Sequence, residues 1–184
     1  MLKLSDRMSR HNNQSSKKYT NGKYPPQKMY YVFDIWIEGK GGGVFDRKVL
    51  RKIRIPGSKS LYNFARVITK TFGFYFDHCF GYYDNFERYP DSKKAYELFV
   101  DIGEGPLSPT IKGVKKTNIC QAFKEPGERM LFLFDYGDGW YFGIELKKVI
   151  YIDKWNLDPV ILESIGEAPL QYPPCEDEFE EDEI

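Results

Sequence analysis

Short runs in which apolar and polar residues alternate, separated by glycine-rich turns, constrain the fold of this chain more than any other feature. The clearest run follows the turn at 135–139, where Trp140, Phe142, Ile144 and Leu146 fall on one side and Glu145 and Lys147 on the other. A period of two residues is typical of a β-strand with one face buried. This stretch therefore predicts a strand that begins immediately after a tight turn.

The same pattern occurs twice near the start of the chain. Residues 31–38 alternate, the glycine-rich stretch 39–43 interrupts them, and residues 49–55 alternate again until Pro56-Gly57. Two strands around a glycine-rich loop predict an antiparallel hairpin with a long connection.

One segment has helical spacing instead. Its apolar residues are Leu61, Phe64, Ala65, Val67, Ile68 and Phe72. Ser58 or Ser60 is suited to cap the start of this helix, and Gly73 is suited to end it. We expect the apolar face of the helix to lie against a sheet.

The rest of the chain is also rich in strands. We predict strands at 74–83, 96–100 and 130–134, a short helix at 117–123, and an irregular stretch at 151–174 with at most one short element. Strands with hairpin-length connections and few helices indicate the α+β class. The predicted architecture is a mostly antiparallel sheet with one main helix and one short helix packed on it.

The length of 184 residues predicts a single domain. The 27 basic and 27 acidic residues balance in number, but they are distributed unevenly along the chain. Residues 1–28 contain seven basic residues and one acidic residue, whereas residues 175–184 contain seven acidic residues and no basic one. We expect a flexible basic arm at 1–28, a single α+β domain at 29–174 and an acidic tail at 175–184.

Composition also limits the compartment and the cofactors. The longest apolar run, Met130 to Phe134, is far shorter than the ~18–20 residues of a membrane-spanning helix, so no membrane association is expected. Three cysteines without a CxxC pair favour a reduced, cytoplasmic protein. With His11 and His78 as the only histidines, we expect neither a metal site nor a cofactor.

Four segments, in order, carry a resemblance to a known family. They are Lys52-Ile53-Arg54-Ile55-Pro56-Gly57, His78-Cys79-Phe80-Gly81-Tyr82, Phe134-Asp135-Tyr136-Gly137-Asp138-Gly139-Trp140, and the proline-rich stretch 166–174. Together they resemble the plasmid pRiA ORF-three-like family of uncharacterised proteins, some of them encoded near transposons and described as resolvase-like. The resemblance spans about residues 30–178 and implies a fold rather than an activity.

The candidate functional residues lie in or beside these motifs. They are Asp135, Asp138, Trp140, His78, Tyr82, Glu176 and Asp177. Two carboxylates three residues apart are able to bind a hard cation or to act as acid and base. Alternatively, the two aspartates build the turn itself by accepting backbone hydrogen bonds, and His78 is a hydrogen-bonded core histidine.

Three functions remain open at this point. The leading hypothesis is a non-enzymatic module that binds a protein partner through surface aromatics at Tyr75, Tyr82, Tyr83, Phe86 and Tyr89. The second is a nucleic-acid-binding accessory protein of mobile elements that uses Arg7, Arg10, Lys17 and Lys18. The third is a cation-dependent hydrolase that uses Asp135 and Asp138.

Overall fold

The computed structural model describes residues 25–44, 49–155 and 158–173. Within them, the strands are β1 (Met29–Lys40), β2 (Gly43–Val44), β3 (Leu50–Pro56), β4 (Phe80–Tyr83), β5 (Ala95–Glu97), β6 (Lys112–Gly113), β7 (Arg129–Phe134), β8 (Trp140–Tyr151) and β9 (Val160–Ile165). The α-helices are α1 (Leu61–Thr71), α2 (Leu98–Ile102) and α3 (Ile119–Ala122), and 3₁₀ turns occupy Pro26–Lys28 and Tyr89–Asp91.

All nine of these strands belong to one sheet. Its order is β6-β5-β4-β7-β8-β1-β3-β9, with β2 paired to β1, and every pairing is antiparallel except that of β5 with β6. The α+β class and the mostly antiparallel sheet are therefore confirmed. The predicted hairpin is β1 paired with β3, in which Phe33 lies opposite Ile53.

The main helix forms where its sequence pattern predicts it. The side chain of Ser60 accepts a hydrogen bond from the backbone N–H of Asn63 (3.2 Å), so Ser60 is the N-cap residue. The apolar stripe of α1 packs on the sheet, and the ring of Phe64 lies 4.7 Å from that of Phe33. α3 packs on the same side, since Phe123 at its end contacts Phe33 at 4.9 Å.

Two apolar clusters result from this arrangement. The larger one lies between the helices and the sheet and includes the buried residues Trp140, Phe142, Ile144 and Leu146 of β8, as their alternation predicts. The smaller one, on the other side of the sheet, is built on Tyr83, Leu131 and Leu133.

Two elements differ from the prediction. Residues 74–79 lie outside any strand, because the antiparallel partner β7 ends at Phe134, which pairs with Phe80. Residues 98–102 form α2 rather than a strand, and Gly103 ends this helix in the left-handed conformation (φ 79°). The single short element expected within 151–174 is β9, an edge strand.

The terminal segments contribute little to this description. The arm predicted at 1–28 lies outside the described residues except for 25–28, and the tail predicted at 175–184 lies entirely outside them. The division into arm, domain and tail stays a prediction.

Candidate functional site

The turn between β7 and β8 is built around Asp135. This residue is buried and has the left-handed backbone conformation (φ 57°) that aspartate adopts more readily than most residues. Its Oδ1 accepts hydrogen bonds from the backbone N–H groups of Gly137 (3.0 Å) and Asp138 (3.2 Å). Its carbonyl accepts one from Gly139 (2.7 Å). One carboxylate oxygen of Asp135 therefore stabilises the turn, as an Asx turn does.

The other oxygen of Asp135 faces His78. The distance from Oδ2 of Asp135 to Nε2 of His78 is 3.5 Å, and Nδ1 of His78 lies 2.9 Å from Oδ1 of Asp77. Because an ionised carboxylate only accepts hydrogen bonds, Nδ1 carries the hydrogen in the contact with Asp77. Both ring nitrogens of His78 thus lie beside carboxylates.

The C-terminal part of the described chain completes this cluster. The hydroxyl of Tyr172 donates a hydrogen bond to Oδ2 of Asp77 (2.8 Å). The side-chain amide of Gln171 donates to that hydroxyl (2.9 Å) and to Oδ1 of Asp77 (3.3 Å), while its oxygen accepts from the backbone N–H of Tyr75 (2.7 Å). We refer to Asp77, His78, Asp135, Gln171 and Tyr172 as the histidine cluster.

The pKa shifts in the histidine cluster follow from these contacts. The hydrogen bond to Asp77 raises the pKa of His78 above 6.5, and the charges of Asp135 and Asp138 act in the same direction against the opposing effect of burial. Burial raises the pKa of Asp77, but hydrogen bonds from His78, Tyr172 and Gln171 outweigh it and lower the pKa. Partial desolvation and the hydrogen bond to Asp77 raise the pKa of Tyr172 to about 12.

Asp138 lies at the edge of the cluster and has a different partner. Its Oδ2 is 3.0 Å from Nζ of Lys40, at the end of β1. The same ammonium lies 4.6 Å from the ring centre of Trp140, a cation–π contact, and 3.4 Å from the carbonyl oxygen of Gln171. Lys40 therefore joins the turn, β1 and the C-terminal segment.

These contacts limit the chemistry of the site. A catalytic base needs a free nitrogen or oxygen directed at a substrate, yet both nitrogens of His78 face carboxylates, and Asp135 and Asp138 have partners within the protein. Among the described residues, no three His, Cys, Asp or Glu side chains are placed to hold a metal ion. The arrangement is suited to fastening the segment around residue 172 to the turn between β7 and β8.

The structure brings together some of the predicted site residues and separates others. Asp135 and His78 are in the cluster, and Asp138 is beside it. His78 is not a core histidine, since 41% of its side chain is exposed and it precedes β4. Trp140 is buried against Phe74.

Tyr82 lies apart from the cluster. It is fully buried and donates a hydrogen bond to the carbonyl of Leu61 (2.9 Å). It therefore contributes to the core and lines no open cleft. Glu176 and Asp177 lie outside the described residues, as do Arg7, Arg10, Lys17 and Lys18.

Sequence reasoning missed the residues that complete the cluster. Asp77 adjoins the His78 motif and Tyr172 lies within the proline-rich motif, so both were within reach of a motif-based search. It also missed a buried network in which the hydroxyl of Tyr83 donates to Oε1 of Glu97 (2.6 Å) and lies 2.6 Å from the hydroxyl of Tyr136. Burial raises the pKa of Tyr83, and Tyr136 and Glu97 add to the effect.

The surface aromatics expected to bind a partner are mostly packed. Tyr83 is buried, and Phe86 and Tyr89 pack against it in the smaller cluster, whereas Tyr75 is exposed. β9 in addition presents four exposed aliphatic side chains, and Val160, Ile161, Leu162 and Ile165 are 39%, 50%, 46% and 48% exposed.

No helix in the described part of the chain has the length and apolar composition needed to cross a membrane. The sheet, its helices and the histidine cluster define an α+β protein in which the β7–β8 turn is fastened to a C-terminal segment. The chain belongs to the plasmid pRiA4b ORF-3-like family, whose sequence model matches residues 43–174.

The matched segment includes Asp77, His78, Asp135 and Tyr172. The fold is similar to the crystal structure of MM3350, a protein of unknown function from Methanosarcina mazei Go1. The TM-score is 0.58 at 16% sequence identity, and the match covers 77% of this chain and 71% of that one. No curated protein matches the chain in sequence.

Proposed function

We propose that this protein is a non-enzymatic interaction module that binds an extended, apolar segment of a partner protein as an additional strand beside β9. The composition and exposure of β9 carry this proposal. All six of its residues are exposed, four of them are aliphatic, and β9 is the last strand of the sheet. An edge strand presents unpaired backbone N–H and C=O groups to which another chain adds readily.

β9 is held in place before any partner binds. Arg51 of β3 donates hydrogen bonds to the carbonyls of Ile165 (2.9 Å) and Gly166 (3.1 Å). Lys52 pairs with Glu163 of β9 at 2.6 Å. A preformed edge loses less conformational entropy on binding than a segment that must first be ordered.

The partners already present in the histidine cluster support a non-enzymatic role. The hydrolase hypothesis needs Asp135 and Asp138 free to act on a substrate or a cation. Asp135 instead accepts backbone hydrogen bonds, and Asp138 is paired with Lys40.

Two further expectations concern the cellular location and the binding of nucleic acid. A cytoplasmic location is supported by Cys79 and Cys120, which are free thiols. A nucleic-acid-binding role linked to mobile elements depends on residues 1–28, of which only 25–28 are described, and stays an alternative hypothesis.

Peptide display on the immobilised full chain tests strand addition. Selected peptides are measured by fluorescence anisotropy against the wild type, against Leu162→Lys on β9, and against Leu107→Lys. The last is a matched control because Leu107 is an exposed leucine outside β9 (53% exposed, compared with 46% for Leu162). We expect Leu162→Lys to weaken binding about tenfold or more, since a charge on an edge strand opposes pairing.

A second probe separates strand addition from simple apolar contact. N-methylation of alternate amides of the peptide removes the backbone donors that a strand needs, so it is expected to abolish binding. If the selected peptides bind Leu162→Lys and the wild type with equal affinity, the proposal is contradicted. It is also contradicted if no peptide is selected and the full chain turns over a substrate.

A further inference from the structure

A row of cations borders a groove between α1 and the start of β9. Lys59 precedes the helix, and Arg66 and Lys70 follow on the same face, where residues three and four positions apart are neighbours. α1 contains no acidic residue. In the part of the chain that the structure describes, none of these three cations forms an ion pair.

The groove combines this charge with apolar surface. Its volume is about 210 Å³, and Ile55, Val67 and Pro159 line it beside the cations. One acidic residue, Asp158, directly precedes the lining residue Pro159 in the sequence. Such a surface is complementary to an acidic segment that also carries apolar side chains.

We propose that this groove binds the acidic C-terminal segment of the same chain, residues 174–184. That segment contains seven acidic residues and no basic one, together with Phe179 and Ile184. The carboxylates match Lys59, Arg66 and Lys70, and the two apolar side chains match the apolar lining. This inference does not depend on strand addition at β9.

The chain is long enough to make this contact. Gln171 is hydrogen-bonded to Tyr75. Tyr75 follows Lys70 by five residues, so these two residues are at most about 18 Å apart. The eleven residues of 174–184 extend to about 36 Å. The segment is therefore long enough to reach Lys70, at one end of the groove, from Pro173.

Covalent attachment favours this occupant over a free one. A segment joined by a short linker has an effective concentration of about millimolar. A free acidic peptide or a nucleic acid must reach a comparable concentration to compete. The binding is expected to be salt-dependent because the charges are exposed.

Zero-length carbodiimide cross-linking of the full chain, with mass spectrometry of the monomer fraction, tests the inference, because the reagent joins carboxylates only to amines in direct contact. We expect Lys59 and Lys70 to be the main partners of the segment. The yield is expected to fall about fivefold between 50 and 500 mM NaCl, since the Debye length shortens.

Arg66→Glu is the informative variant because it retains both lysines. It is expected to lower these cross-links about fivefold through charge repulsion. Arg88→Glu makes the same change at an exposed arginine between β4 and β5 and is expected to leave them unchanged. Circular dichroism verifies folding, and if Arg66→Glu is unfolded, the salt dependence of the wild type decides.

Each of the following cross-linking results would overturn the inference: cross-links concentrated on Lys17 and Lys18, cross-links confined to dimers, an even distribution over exposed lysines, or insensitivity to Arg66→Glu. The first assigns the segment to the basic arm, and the second to another copy of the chain. Absence of the expected cross-links together with Arg66-dependent binding of oligothymidine would assign the groove to nucleic acid.

Discussion

Nε2 of His78 lies 3.5 Å from Oδ2 of Asp135, so an exposed imidazole just before β4 is joined to the buried residue that shapes the β7–β8 turn. A backbone hydrogen bond from the Asp135 N–H to the carbonyl of Cys79 (3.0 Å) runs beside it. Tyr172 adds the C-terminal segment through Asp77. Three parts of the chain that are distant in sequence are thus held together by a small polar cluster.

The pH dependence of stability is the first prediction. The pKa of His78 is raised in the folded state, so its contribution is complete below pH 6.5 and is lost as the pH rises through the folded pKa. The pKa of Asp77 is lowered, so its contribution is present above 3.8 and is lost as the pH falls through the folded pKa. Urea unfolding of His78→Gln should therefore differ more from the wild type at pH 5.5 than at pH 9.

The second histidine of the chain provides the control. His11→Gln, in the predicted arm, is expected to match the wild type at both pH values. An equal loss of stability for His78→Gln at pH 5.5 and pH 9 would show that the charge of His78 has no part in the effect.

The second prediction concerns Arg51, a buried arginine that donates to backbone carbonyls at the end of α1 and at the end of β9. Its Nε bonds to Thr71 at the end of α1 (3.0 Å), and Nη1 bonds to Ile165 and Gly166. Arg51→Lys retains the charge but lacks the planar fork, and is expected to lower the free energy of unfolding by about 1–3 kcal/mol. Hydrogen exchange should increase in β9, and unchanged protection there would contradict the assigned role.

The third prediction concerns the buried carboxylate of Glu97. It accepts hydrogen bonds from the hydroxyl of Tyr83 (2.6 Å) and the backbone N–H of Leu107 (3.3 Å). Glu97→Ala removes the acceptor from both donors and is expected to cost about 3 kcal/mol of unfolding free energy. Glu97→Gln retains an acceptor and is expected to cost about 1 kcal/mol. Equal losses in denaturant unfolding would argue against the hydrogen bonds as the cause.

The fourth prediction uses the close packing at Gly81 of β4. A Cβ atom there would lie 2.6 Å from the hydroxyl oxygen of Tyr83 and 2.7 Å from that of Tyr136. Gly81→Ala is expected to displace the buried tyrosines and to destabilise the protein by about 1–3 kcal/mol. Gly105→Ala is the control, since no atom lies within 4 Å of its added Cβ. Thermal unfolding measures both, and similar midpoints would contradict the prediction.

The secondary structure was predictable wherever a pattern within a few residues sufficed. The alternation from Trp140 to Leu146 gave the face of β8 that is buried, and Ser60 followed by a helical stripe gave the start of α1. The aromatic alternation at 74–79 predicted a strand that the structure does not contain. The backbone of this segment has other partners, and the N–H of Tyr75 donates to the side chain of Gln171. A pattern in one segment contains no information about whether another strand continues beside it.

The sequence alone determined the α+β class, the main hairpin, the helix on the sheet and the turn that contains Asp135, since each depends on residues close together in the chain. The tertiary structure alone decided that Asp77 and His78 meet Tyr172, that Tyr82 and Trp140 are buried, and that the aliphatic residues of β9 are exposed. These features depend on contacts between residues up to 95 positions apart. Only the folded sheet brings such residues within hydrogen-bonding distance and leaves β9 at its edge.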